Sequence, residues 1–268
     1  MLESVKNVIA VASGKGGVGK STVTANLALA MAQKGFKVGV LDADIYGPSQ
    51  ALMLGVADGV RPQMKDETTF LPIEAHGLYT MSMAYLVTEK TPMVWRGPMV
   101  SGAFQQILTQ TDWPELDYLF IDMPPGTGDI QLTLAQKVQV AGAVIVTTPQ
   151  DIALLDAKKG VEMFRKVKIP VLGVVENMSL HTCSNCGHSE PVFGEGGGDR
   201  IAKEYDTVLL GQLPLALKVR EQADSGTPSV IADPDGDIAG FFSQIGDNMM
   251  QQLGGAVQVT PNISFSDD

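Results

Sequence analysis

Gly14–Thr22 reads GKGGVGKST, and the fold follows from it. Gly14, Gly19, Lys20 and Ser21 fill the pattern G-x-x-x-x-G-K-S/T. Just before it, Val8–Ser13 (VIAVAS) is a short apolar, β-branched run of the kind that forms a buried strand in a parallel sheet. Just after it, Ser21–Lys34 carries Val23, Leu27, Ala30 and Met31 at helical spacing, with Gly35 as a stop. Strand, loop and helix together are the context that turns this motif into a phosphate-binding loop. Its glycines let the backbone wrap closely round an anion, so that N–H groups and a helix start face the phosphates. Gly14, Lys15, Gly16, Gly17, Val18, Gly19, Lys20, Ser21 and Thr22 are the candidate nucleotide contacts. Lys20 is expected on the β- and γ-phosphates, and the Ser21 hydroxyl on Mg²⁺.

Outward from the loop, apolar runs and helical stretches alternate. Val38–Leu41, Leu78–Met83, Tyr118–Ile121, Ala143–Thr147, Val171–Val175 and Val208–Leu210 read as strands. Between most of them fall helical stretches at Ser101–Gln110, Ile130–Val138, Asp151–Val167 and Gly198–Glu204. This alternation predicts an α/β fold: a mainly parallel, doubly wound sheet with helices on both faces, in three layers. Two segments break the rhythm. Gly47–His76 is rich in proline and glycine and is expected as an irregular excursion, and Ser179–Gly198 as a long glycine-rich loop. Ile238, Phe241, Phe242, Ile245 and Met249 form one helical face that should pack on the core. The expected organisation is one domain over residues 1–253, with a cysteine loop at 179–198 and a polar, disordered tail at 254–268.

Composition excludes several functions. The first 220 residues carry 19 basic and 22 acidic groups, whereas Glu221–Asp268 holds eight acidic residues and no Lys, Arg or His. Such a C-terminal part repels phosphate polymers and anionic lipid, so neither nucleic acid nor a membrane is an expected partner. The chain has no apolar run long enough to span a bilayer, and MLESVKNVIA has no signal-peptide core; a cytoplasmic location is expected. Its only two cysteines, Cys183 and Cys186, would stay reduced there, free for metal or redox work.

Carboxylates at strand ends supply the rest of the nucleotide site. In LFIDMPPGTGD, Asp122 ends a strand at the rim where ligands of parallel sheets bind, and is expected to hold Mg²⁺ directly or through water. Gly126 and Gly128 would let the following loop respond to a γ-phosphate. LDADIYGPS places Asp42 near the metal, although a strand-ending Asp can equally be satisfied by loop amides.

HTCSNCGH at His181–His188 sets two thiols three positions apart, so both sulfurs can face one metal. Two thiolates are half of a four-coordinate site, and a symmetric dimer would supply the other half. A dithiol redox pair, a zinc site completed by His181 and His188, and an inert pair remain open on the spacing alone. His76 carries no signal.

The ordered set GKGGVGKST, DADIYGPS, MVWRGPM, DMPPGTGD, TTPQDIALLDAKKG, VENMS, CSNC and FGEGGG, from about Val8 to Pro228, resembles the Mrp/ApbC family of iron–sulfur cluster carriers. These are P-loop ATPases of the deviant Walker A, MinD-like type. The resemblance implies an ATP-dependent carrier that holds a cluster, of the 4Fe–4S type, across a homodimer through Cys183 and Cys186. It would receive the cluster from assembly scaffolds and pass it to apoproteins, with slow ATP hydrolysis. It also implies that Lys15 reaches the partner's nucleotide, that Asp44 positions the attacking water, and that Asn177, Leu213 and Pro214 flank the adenine. A solvated Lys15 assisting the local phosphate, and ordinary turn roles for Asn177 and Pro214, are the alternatives. Trp95, Arg96 and Pro98 lie in a family-like stretch without an assigned chemistry. Many members carry a small N-terminal domain before the first strand, which here opens within ten residues. The competing functions are a MinD/ParA-type spatial-organisation ATPase and a zinc-binding metallochaperone.

Overall fold

A computed structural model describes residues 2–86, 97–183 and 185–256. Its centre is a sheet of β1 (Val5–Ala12), β2 (Val38–Asp42), β3 (Ile73–Ala75), β4 (Leu78–Ser82), β5 (Leu116–Asp122), β6 (Gly142–Thr147), β7 (Val171–Glu176) and β10 (Leu209–Gln212). A separate two-stranded hairpin, β8 (His181–Thr182) and β9 (Ser189–Glu190), stands between β7 and β10 in the chain. The sheet order is β10-β7-β6-β1-β5-β2-β4-β3, and every neighbouring pair is parallel except β3 with β4.

Side chains alternate along β1 between two apolar layers, because successive residues of a strand face opposite ways. Val8, Ala10 and Ala12 join one core with Phe104, Ile107, Phe164 and Ile201. Ile9 and Val11 join the other, with Leu27, Met31, Phe242, Ile245 and Met249. The first layer is roofed by α3 (Gly97–Gln110), α4 (Asp129–Lys137), α5 (Asp151–Lys166) and α6 (Gly197–Glu204). The second is roofed by α1 (Lys20–Gln33), α8 (Ser229–Ala232) and α9 (Asp237–Ala256). Two short pieces, α2 (Gln50–Met53) and α7 (Leu217–Asp224), complete the helices among the described residues.

The predicted three-layer parallel fold is therefore present, and the boundaries of its seven expected strands and five main helices shift by only a few residues. Departures sit where the pattern is short. Met83 opens a 3-10 turn through Leu86 instead of extending β4. The excursion at 47–76 contains α2 and β3, and the loop at 179–198 contains the β8–β9 hairpin and the first residues of α6. Phe241 is 44% exposed on α9 while Phe242 is buried, so the apolar face is narrower than expected. That helix continues to Ala256, past the boundary expected at 253. Trp95, Arg96 and residues 257–268 lie outside the described residues.

Candidate functional site

Parallel register brings the site together at the C-terminal ends of the central strands. Asp42 on β2 is level with Asp122 on β5, and Asp122 with Val11 on β1, so two carboxylates and the phosphate loop share one edge. The loop itself needs glycine for two distinct reasons. A Cβ on Gly14 would lie 1.9 Å from the Asp156 carbonyl oxygen, and Gly19 begins α1 at φ +82°. No side chain caps α1 and no acid lies in its first turn, which keeps its positive end suited to an anion. Ser13, Gly16, Lys20, Ser21, Asp44 and Pro125 are among the residues lining a cleft of about 250 Å³ over this loop.

Lys20 is 6% exposed, and its Nζ donates to Asp122 Oδ1 at 2.5 Å and to Ser21 Oγ at 3.3 Å. Thr24 Oγ1 donates to the same Asp122 oxygen at 3.1 Å, and Gln50 Nε2 to the other at 2.8 Å. The expected phosphate lysine and metal carboxylate thus form a buried ion pair, in which each charge requires the other.

Asp42 is fully buried and level with Asp122, and its carboxylate also takes up loop amides. Its Oδ1 accepts from the Asp44 amide at 3.1 Å. Its Oδ2 accepts from the Ser49 and Gln50 amides and the Ser82 hydroxyl at 3.0, 3.1 and 3.2 Å. Burial, then the neighbouring Asp122 charge, push the Asp42 carboxyl up to about 7, against the pull of those amides and of Lys20. Asp44 lines the cleft and accepts from the Tyr46 and Gly47 amides. Lys15 is exposed at the lip of the loop and has no ion pair among the described residues.

Asn177 follows β7 and reaches back to the loop, where its Nδ2 donates to the Val18 carbonyl at 2.9 Å. Leu213 is buried, and its carbonyl accepts from both the Ser179 amide and the Ser179 hydroxyl. The segment after β10 is in turn stitched to the root of the cysteine hairpin. Leu215 donates its amide to the Leu180 carbonyl at 2.9 Å and accepts from His181 Nδ1 at 3.1 Å.

Within the hairpin, the Cys183 amide donates to the His188 carbonyl and the Gly187 amide to the Cys183 carbonyl, both at 2.9 Å. Cys183 is partly exposed, Cys186 exposed, and both are free thiols. The backbone N–H of Cys186, with that of Asn185 and the Cys186 thiol, holds the Cys183 thiol below its ordinary range. Among the described residues no three His, Cys, Asp or Glu side chains come together as a metal site.

Four contributors escaped sequence reasoning. Thr24 and Gln50 hold Asp122, and Gln131 braces the DMPPGTGD loop by donating to the Pro124 and Gly126 carbonyls. Glu176, fully buried at the end of β7, accepts from the Gly198 amide at 2.6 Å and from Gln212 Nε2 at 2.7 Å. Its only sequence signal is an acid in an otherwise apolar strand. No described helix is long and apolar enough to cross a membrane.

Known proteins resemble this chain in sequence and in fold. A ParA family model described as NUBPL iron-transfer P-loop NTPase matches residues 4–250. An iron–sulfur cluster carrier protein of Pseudomonas fragi is 68% identical over 91% of this chain and 85% of its own length. One from Escherichia coli K12 is 59% identical over 98% and 72%. The mouse iron–sulfur cluster transfer protein NUBPL is 48% identical over 94% and 79%. An ADP-bound nucleotide-binding protein of Archaeoglobus fulgidus superposes with a TM-score of 0.76 at 37% identity, covering 90% of this chain and 93% of that one. Pyrococcus furiosus MinD, at TM-score 0.66 and 23% identity over 92% and 99%, shares the fold. With its matched span and its phosphate loop, the chain belongs to the NUBPL iron-transfer family of ParA-type P-loop NTPases.

Proposed function

We propose that the chain is an ATP-dependent carrier of iron–sulfur clusters that works as a homodimer in the cytoplasm. The cluster is its cargo. The observation that carries this reading is the hairpin: two free thiols at an exposed tip, one with its pKa lowered, and no third protein ligand beside them among the described residues. Two such hairpins meeting at a twofold axis would present four thiolates, enough for one 4Fe–4S cluster. Delivery to apoproteins then requires only that the tip stay accessible.

The nucleotide half follows from the buried ion pair. Lys20 leaves Asp122 for the β- and γ-phosphates, exchanging one anion for another. Gly14–Thr22 supply backbone N–H donors, and Asn177 with the Leu213–Pro214 segment faces the base. The ligand atoms offered beside the loop, the Ser21 hydroxyl and the Asp122 carboxylate, are oxygens, so a magnesium ion shared with the phosphates fits the site. Ser21 and Asp122 would hold it, and when bound it would neutralise charge on the transferring phosphoryl group. Asp44 orients the attacking water, Asp42 fixes the loop that carries Asp44, and Lys15 reaches across the dimer to the partner's nucleotide. Hydrolysis is slow and serves loading or delivery of the cargo.

Anaerobic reconstitution with iron and sulfide, followed by sedimentation and metal analysis, tests the carrier reading. The expected result is one cluster per two chains, absent from both Cys183→Ala and Cys186→Ala. Clusters retained in either variant, or zinc in place of iron and sulfide in protein purified without oxygen, would overturn it.

A further inference from the structure

Gln50 begins α2 and is 1% exposed. Its backbone N–H donates to Asp42 Oδ2 at 3.1 Å, while its side-chain Nε2 donates to the Ser21 carbonyl at 2.9 Å and to Asp122 Oδ2 at 2.8 Å. Both partners of Nε2 are acceptors, so the amide has one tenable orientation; reversed, its oxygen would face a carbonyl and a carboxylate. The consequence is that Oε1 is buried with no donor among the described residues. Lys20 Nζ is directed to Asp122 and Ser21, and Thr24 Oγ1 to Asp122 and the Lys20 carbonyl, not to this oxygen. A buried acceptor is seldom left bare in a folded protein, and those that are mark places where water or an ion belongs.

We infer that Gln50 is a positioning residue of the phosphate site, its Oε1 accepting a hydrogen bond from a water on the divalent cation that accompanies the nucleotide. Magnesium keeps several of its waters when protein-bound, and each is a strong donor. One planar amide would then tie together Ser21, Asp122 and the cation's hydration shell, while its backbone N–H ties α2 to Asp42. Partners of this kind orient the groups that hold a metal, and losing one typically weakens metal affinity by about 10–100-fold. The inference rests on the nucleotide-binding reading of the same loop.

The test is a titration of Mg²⁺ into the protein with a fluorescent ADP analogue, with a parallel series in EDTA. Wild-type protein is expected to bind the analogue more tightly as Mg²⁺ is added. Gln50→Met, of similar length but without the amide, is expected to need at least about tenfold more Mg²⁺ for half-saturation. Its affinity in EDTA should be unchanged, and its thermal unfolding should remain cooperative. Should that variant not fold, Gln50→Asn, which draws the amide back by one methylene, takes its place with the same expectation. An unshifted Mg²⁺ midpoint, or an equal loss with and without Mg²⁺, would overturn the inference and leave Gln50 a packing residue. Wild-type protein that binds no analogue at all would instead sink the nucleotide reading, and this inference with it.

Discussion

The phosphate loop and the cysteine hairpin are built on opposite principles. At the loop, Asp42 and Asp122 are fully buried, Lys20 nearly so, and the carboxylates' donors come from β4, α1, the start of α2 and the loop after β2. The geometry there is a product of the whole fold. The hairpin has two strands of two residues each, an exposed Cys186, and a thiol tuned by amides one turn away. Its geometry is local. A site that must hold polyphosphate without water leaking in gains from depth, whereas cargo that has to be handed on cannot be buried.

The sharpest way to break this contrast is the buried pair. Lys20→Met leaves the Asp122 carboxylate without its counter-charge, and should cost about 3–5 kcal/mol of stability in urea without nucleotide. Adding Asp122→Asn should recover much of that loss but none of the nucleotide binding. A Lys20→Met protein as stable as wild type would mean the site is as loosely tied to the fold as the hairpin is.

A smaller effect sharpens where the local region ends. Glu176 fixes the start of α6, the far root of the cysteine segment, through the Gly198 amide. Glu176→Ala strands that amide and the Gln212 side chain, and should cost about 1–3 kcal/mol per unpaired group. Chemical unfolding measures it; a neutral result would place the boundary of the cooperative core before Glu176.

The smallest expected effect is a displaced titration. With its thiol held below the ordinary range, Cys183 ionises at lower pH than an unperturbed cysteine, so its reaction with iodoacetamide should set in at lower pH. Mass spectrometry of each labelled cysteine between about pH 6 and 9 reads this directly. A Cys183 curve that coincides with that of the same residue in urea-unfolded protein would remove the local tuning.

The sequence made the sheet legible because buried parallel strands are continuous apolar runs and their helices have period 3.6. It made the phosphate loop and both cysteines legible because each is a local motif. What stayed hidden is non-local or short. Nothing in GPSQ announces that Gln50 will meet Asp122 across 72 positions of chain. The α7 segment LKVREQAD buries only Ala223, so it leaves no apolar stripe to read. Asp42 shows the third kind of gap: its place at the strand end was foreseeable, but whether its oxygens serve loop amides or a metal depends on where Ser49, Gln50 and Ser82 fold.

The sheet order bears on how such a chain comes into being. β1 and β2 are consecutive in the chain but not neighbours in space, because β5 is laid between them. A growing polypeptide displays GKGGVGKST early, yet Asp122 arrives about a hundred residues later, on the strand that closes the gap. Until then two apolar strand edges stand open, which is the condition that invites mispairing. The same insertion that joins β1 to β2 also delivers the carboxylate to the lysine, so the closing of that gap and the pairing of Lys20 with Asp122 are a single event in assembly.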